Sequence, residues 1–199
     1  MPTLSSASHQ LLIASYKGDQ YRQCIEAAAL PDLLIVEQPT PDCDILFGEP
    51  ARIRELLPAL PALRWAHATW AGIEPLLDPG LRRDYFLTNA RGVFGPQISE
   101  YVFAYLLLHE RRILQIYTAQ GSGQWDNTLT GSLRGKTLGL LGVGSIGAHL
   151  AGTARHFGMH VHGYTRFSES CAAVEAYYHG EDMSAFVVGL DYLVCTLPG

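Results

Sequence analysis

The feature that most constrains the fold is an apolar run ending in glycines: Thr137-Leu138-Gly139-Leu140-Leu141 leads directly into Gly142-Val143-Gly144-Ser145-Ile146-Gly147. A near-continuous apolar run suits a strand buried on both faces of a parallel sheet. Behind the turn, Ile146, Leu150, Ala154 and Phe157 recur at helical spacing, and Gly158 supplies a left-handed residue to close that helix. His160-Val161-His162-Gly163-Tyr164 reads as the next strand, so the whole is a βαβ unit of the length that the G-x-G-x-x-G fingerprint requires. In such a unit Gly142 permits the tight turn, Gly144 lets the backbone approach a pyrophosphate, and Gly147 allows the helix to pack closely on the strand. The Ser145 and Ile146 amides, at the helix N-terminus, would offer unpaired donors to phosphate. The competing reading is a glycine-rich strand-to-helix turn that binds nothing; the complete unit favours a dinucleotide.

NAD-specific units of this kind carry an acidic residue about 20 positions on, which accepts the ribose hydroxyls. Here that place is Thr165-Arg166, without an acid. A carboxylate would repel a 2′-phosphate, whereas a hydroxyl followed by a guanidinium can donate to it and balance its charge. NADP is therefore expected, with NAD as the alternative if Arg166 is only a solvated loop residue.

Upstream, short apolar runs at Leu11–Ala14, Leu33–Val36, Asp44–Phe47, Leu63–Ala66 and Tyr85–Thr88 alternate with turns and amphipathic stretches, the habit of an α/β domain with a small doubly wound sheet. Tyr21, Ile25, Ala28 and Ala29 share helical spacing, and Pro31 closes that helix. Gly95-Pro96 opens a long helix expected to run to about Tyr117, with Glu100 placing negative charge in its first turn. Its middle, Tyr101 to Leu108, is apolar on every face, so burial on two sides is expected. The second side is either another domain of the same chain or, as favoured, a second copy, making the 97–117 helix a homodimer contact. The boundary falls near Gly92, giving domains 1–92 and 93–199.

Composition narrows the partners. A formal net charge of −5, with no basic cluster beyond Arg82-Arg83 and Arg111-Arg112, argues against nucleic acid and against an anionic membrane surface. No apolar run approaches the roughly 20 residues that span a bilayer, and the start of the chain lacks the basic segment of a signal peptide. Cys24, Cys43, Cys171 and Cys195 are scattered, with neither C-x-x-C nor zinc spacing, so free thiols, no metal site and a reducing cytoplasmic setting are expected.

The stretch Thr88-Asn89-Ala90-Arg91-Gly92-Val93, then Ser99-Glu100-Tyr101-Val102, Arg111-Arg112, Trp125 and Leu133-Arg134-Gly135-Lys136-Thr137-Leu138-Gly139 before the glycines, resembles the D-isomer-specific 2-hydroxyacid dehydrogenases in residue type and order. Thr165-Arg166 brings the glyoxylate and hydroxypyruvate reductase branch nearest. The resemblance implies a flavodoxin-like substrate domain, a Rossmann cofactor domain, and an active site in the cleft between them.

It also implies roles for particular residues. Thr69-Trp70-Ala71-Gly72-Ile73 matches the family turn that holds the substrate carboxylate on backbone N–H groups, here those of Ala71, Gly72 and Ile73, followed by a helical start; an ordinary strand-to-helix loop is the alternative. Val93 matches a position that lies against the nicotinamide, unless it is core, and Thr196, Leu197 and Pro198 close the cofactor side. The family moves a hydride between the nicotinamide and the substrate 2-carbon, while a His paired with a carboxylate handles the proton and an Arg orients the substrate. Those three belong to motifs downstream of the run Asp191 to Pro198, so the chain, ending at Gly199, is expected to be truncated, to supply about half of the cofactor sheet, to hold no catalytic residue and to be inactive alone. His67, near the carboxylate turn, is read as packed or solvated. A small 2-oxo or 2-hydroxy acid is the implied substrate; a catalytically inactive nucleotide-binding scaffold or regulator of the same fold is the alternative.

Overall fold

The computed structural model describes residues 9–197, and the chain divides into two compact units between Arg91 and Gly92. In the first, β1 (His9–Ala14), α1 (Gly18–Ala27), β2 (Leu33–Val36), β3 (Ile45–Gly48), α2 (Pro50–Leu56), β4 (Trp65–Ala68) and β5 (Phe86–Asn89) follow in order. The strands form one parallel sheet ordered β2-β1-β3-β4-β5, the flavodoxin-like doubly wound order.

All five expected strands are present, with shifted ends. β4 begins two residues later than Leu63 because the Arg64 and Trp65 amides both bond to the Asp44 carbonyl, which sets Ile45 opposite Trp65. A shift of two keeps the same residues facing the core. Not every connection is helical: β2 runs to β3 without a helix, and only a three-residue 3-10 turn, Glu74–Leu76, lies between β4 and β5. The first helix also stops short of Ala29, which turns left-handed (φ 46°).

Alternation along β3 and β4 sends Leu46, Ala66 and Ala68 to the face covered by α2, where Ile53, Leu57, Leu60 and Leu63 complete a fully buried core. Gly48 is needed at the end of β3, because a Cβ there would lie 2.3 Å from the Ala14 carbonyl oxygen. On the opposite face Trp65 and Phe86 are exposed, and His67 stacks on Phe47 with ring centroids 5.3 Å apart.

The second unit opens with α3 (Gly95–Glu110) and α4 (Ile113–Gly121), followed by β6 (Thr137–Leu141), α5 (Ser145–His156), β7 (His160–Tyr164), β8 (Ala176–Tyr178), α6 (Met183–Val187) and β9 (Tyr192–Cys195). Its parallel sheet is ordered β8-β7-β6-β9. The single helix expected to reach Tyr117 is two helices. Arg112 adopts a left-handed conformation (φ 50°), and the Gly131 amide takes the Glu110 carbonyl at 2.8 Å, which a continuous helix would bond to its own next turn. Glu100 lies one turn beyond the helix start, so the first turn carries no acid.

Helix α3 packs on α5 through Phe103, stacked on Phe157 at 5.1 Å, over a core of Leu138, Leu140, Leu150, Ala154 and Val161. Its C-terminal end is pinned to the sheet by polar groups. The Tyr192 hydroxyl donates to Glu110, Lys136 pairs with Asp191 at 3.1 Å, and Asp191 accepts the Thr137 amide at 2.8 Å. Burial, then the Glu110 carboxylate, holds the Tyr192 hydroxyl in its protonated form.

In the first sheet Asp44 ties β1 to the approach of β3, accepting the Gln10 amide at 2.8 Å and facing the His9 ring at 2.7 Å. Burial alone would raise its pKa, but these partners outweigh burial and lower it. A depressed carboxylate contributes stability in full above its unfolded pKa of about 4 and loses it as pH falls through the folded value. Urea denaturation between pH 2.5 and 7 should therefore show a steeper acid loss for the native protein than for Asp44→Asn, and parallel curves would exclude this contribution.

Candidate functional site

The glycine turn sits at the C-terminal end of β6, an inner strand of its sheet, the usual place for a ligand in a parallel α/β fold. Gly142 takes a positive φ of 97°, a conformation costly for a residue with a side chain. Gly147 approaches its backbone so closely that a Cβ would lie 2.4 Å from the Gly142 oxygen. Gly144, in contrast, has an ordinary φ of −82°, and a Cβ built on it meets nothing within 4 Å. Gly142 is thus required by its backbone conformation and Gly147 by packing, whereas Gly144 leaves open space in front of the helix start.

Donors face that space. The Ala148 amide is the first in α5 to turn back, bonding to the Gly144 carbonyl at 2.8 Å, so the Ser145, Ile146 and Gly147 amides have no acceptor within the helix. Thr196, just past β9, gives its hydroxyl to the Gly142 carbonyl at 2.7 Å and its amide to Leu141 at 2.9 Å. Leu197 lies over Gly142, where a Cβ would be 3.0 Å from its Cδ2. The fold therefore gathers Gly142, Gly144, Ser145, Ile146, Gly147, Thr196 and Leu197 at one strand end, whereas Pro198 lies outside the described residues.

At the end of β7 the sequence expectation needs correcting in one particular. Thr165 is buried, and its hydroxyl donates to the Ser168 carbonyl at 2.7 Å, so it shapes the loop and is not a free donor to a phosphate. Arg166 is exposed and forms no ion pair among the described residues. Val93, on the connection into α3, is 58% exposed, which removes the reading of it as core.

The Thr69–Ile73 turn of the first unit follows β4. Asn89 holds it by donating its side-chain amide to the Ala71 carbonyl at 2.6 Å, and the Ala90 amide bonds to Ala68 and Trp70. The Ala71, Gly72 and Ile73 amides donate to no backbone or side-chain acceptor among the described residues. The helical start expected after them is only the Glu74–Leu76 3-10 turn, too short to add an appreciable dipole. Glu74 also places a carboxylate oxygen 2.7 Å from where a Gly72 Cβ would stand, which puts a negative charge beside the turn. His67 is half-buried, its Nδ1 lies 2.8 Å from the Thr88 hydroxyl, and burial lowers its pKa, as suits a packed neutral ring.

Two contacts escaped the sequence. The buried Ser99 hydroxyl lies 2.7 Å from His149 Nδ1 and joins α3 to α5, the helix that carries the amide donors. His179, one residue past β8, meets Thr165 and Glu169. Pairs separated by 50 and 14 positions leave no periodic trace in a sequence. No group of three or more His, Cys, Asp or Glu that could hold a metal ion occurs among the described residues.

A parallel sheet whose inner strand ends in this turn defines an NAD-binding domain of the Rossmann type. The profile of the D-isomer specific 2-hydroxyacid dehydrogenase NAD binding domain matches residues 103–199. The glyoxylate reductase of Thermococcus litoralis is 29% identical over 155 residues, covering 73% of this chain and 47% of the relative. A glyoxylate/hydroxypyruvate reductase of Arabidopsis thaliana is 31% identical over 150 residues, covering 72% and 46%. The crystal structure of a D-isomer specific 2-hydroxyacid dehydrogenase family protein from Aeromonas salmonicida superposes with a TM-score of 0.87 at 37% identity, covering 98% of this chain and 65% of that one. Residues 103–199 belong to the NAD-binding domain family of the D-isomer specific 2-hydroxyacid dehydrogenases, and the chain spans about half the length of these curated relatives.

The contrast between two glycines can be measured without any ligand. Gly147→Ala forces a methyl group against the Gly142 carbonyl and should cost about 1–3 kcal/mol in urea denaturation, whereas Gly144→Ala should stay within about 0.5 kcal/mol of the native protein. Equal losses for the two would show that the turn is not packed as described.

Proposed function

We propose that the whole protein is an oxidoreductase that transfers a hydride between NADPH and a small 2-oxo acid of the glyoxylate or hydroxypyruvate type. The observation that carries this reading is the open space beside Gly144, at the helix start where the Ser145 and Ile146 amides have no acceptor among the described residues: it offers the donors and the positive helix end that a pyrophosphate needs. Residues 93–199 form the cofactor side, with Val93 against the nicotinamide, and residues 1–92 the substrate side, with the Ala71, Gly72 and Ile73 amides taking the substrate carboxylate. Arg166, unpaired at the end of β7 where an NAD-specific unit would have an acid, favours NADP over NAD. The setting is cytoplasmic.

Proton transfer is assigned to no residue of the 199. Three His–carboxylate pairs exist among the described residues, and their places fit other roles. His9–Asp44 and His160–Glu175 lie at the N-terminal ends of strands β1 and β7, away from the ligand end of a parallel sheet. His179–Glu169 lies beyond β8, two strands from the glycine turn.

Protein expressed from the complete coding sequence should oxidise NADPH with glyoxylate or hydroxypyruvate, and the 199-residue chain alone should not. In fluorescence titrations NADPH should bind more tightly than NADH, Arg166→Ala should remove most of that preference, and Gly144→Ala should weaken both at least tenfold while the protein stays folded. Unchanged binding in Gly144→Ala would refute the pyrophosphate site, and tighter NADH binding would reverse the cofactor assignment.

The same reading extends to assembly as a homodimer. Tyr101 and Tyr105, rings 4.9 Å apart, with Leu114 and Tyr117, leave a large apolar surface along α3 and α4 on the side away from α5. Sedimentation velocity should give a dimer that Tyr101→Arg/Tyr105→Arg converts to a monomer; a native monomer at micromolar concentration would end the proposal.

A further inference from the structure

We propose that His179 sets the cofactor preference, by bridging Thr165 and Glu169 across the loop that carries Arg166. It is a positioning residue, and its role rests on the dinucleotide reading above. The β7–β8 ladder ends with Tyr164 opposite Tyr178, and the Thr165 amide donates to the Tyr178 carbonyl at 3.1 Å. The next residue on β8's side, His179, therefore stands beside the first loop residue after β7. Its Nδ1 lies 3.0 Å from the Thr165 carbonyl and 3.2 Å from the Thr165 hydroxyl, and its Nε2 lies 2.8 Å from the Glu169 carboxylate.

These partners fix the protonation state by geometry. The Thr165 hydroxyl spends its hydrogen on Ser168, so at Nδ1 it can only accept, as can the carbonyl beside it. The carboxylate at Nε2 can only accept as well. A neutral imidazole has one N–H and would leave one nitrogen facing an acceptor lone pair to lone pair, whereas the imidazolium satisfies both sides. The Glu169 carboxylate, then the Thr165 carbonyl, raise the ring's pKa, and Asp182 adds to this. The stacked Tyr177 ring brings no competing charge, since its hydroxyl is occupied by Cys171.

The bridge acts on a 2′-phosphate in two ways. It ties residues 165 and 169 to β8, so the loop holding Arg166 keeps one shape. It also balances the charge of Glu169, a carboxylate three residues from Arg166 that would otherwise repel the phosphate dianion. NADH, lacking that phosphate, should respond to neither effect.

The test compares NADPH and NADH affinity in the native protein, His179→Ala, His179→Asn and His179→Asn/Glu169→Gln. His179→Ala should weaken NADPH about tenfold and NADH less than twofold. The double variant should recover most of the NADPH affinity relative to His179→Asn, because the unbalanced carboxylate is gone. Above the His179 titration the native protein should lose NADPH affinity relative to NADH, and His179→Asn should lack this step; it retains the phosphate's own ionisation near about pH 6. Native protein that binds neither dinucleotide would defeat the cofactor reading and this proposal with it. Native protein that prefers NADPH while His179→Ala keeps the same ratio, or weakens both cofactors equally, would overturn the role of His179 alone. Should His179→Ala fail to fold, the pH profiles and the double variant decide the matter.

Discussion

The second unit depends on one contact: the approach of α5 to the Gly142 carbonyl, made possible because Gly147 has no side chain. That approach brings the helix start onto the strand end, and the strand end is braced from the other side by the Thr196 hydroxyl on the same carbonyl. The Gly142 oxygen is therefore satisfied by the neighbouring strand's extension, and the helix is left with donors and no acceptors at its open end. Packing and polarity have a common origin here. A turn that lets the helix closer also decides which backbone groups remain for a ligand.

What the sequence made legible follows from period and glycine. The apolar runs of β6 and β7, the spacing of Ile146, Leu150 and Ala154, and the left-handed Gly158 are local signals, and each lies where expected. The same holds for the five strands of the first sheet to within two residues. Local pattern failed where a distant group decided the outcome. Nothing between Tyr101 and Tyr117 announces that Gly131, a score of residues on, will take the Glu110 carbonyl and let Arg112 turn left-handed. The Thr165 hydroxyl is hidden from local pattern for the same reason: it serves the Ser168 carbonyl in the folded loop. His179 and His149 were invisible because their partners are set by strand register and helix crossing.

The two units solve a shared problem in parallel ways. In the first sheet Gly48 plays a part like that of Gly147, lying against the Ala14 carbonyl so that β1 and β3 close at their C-terminal ends. The Gly48 carbonyl then accepts the Thr69 amide at 2.9 Å, which starts the turn that Asn89 holds through Ala71. In both units carbonyls at the strand ends are consumed internally, and the surplus is of N–H groups.

That surplus matters because the chain carries a formal net charge of −5. On the proposed reading the ligands are anions, and a chain of net negative charge offers them little long-range attraction. Recognition must come from short-range groups that act only at contact, and backbone amides fit this, since they bear no net charge and need no counter-ion when empty. Glu74 beside Gly72 and Glu169 beside Arg166 sharpen the point. Each places a carboxylate next to a candidate anion site, so binding there depends on how that charge is moved or balanced. The Glu169 carboxylate is met by the His179 ring at 2.8 Å and raises its pKa, whereas no described cation is bonded to Glu74.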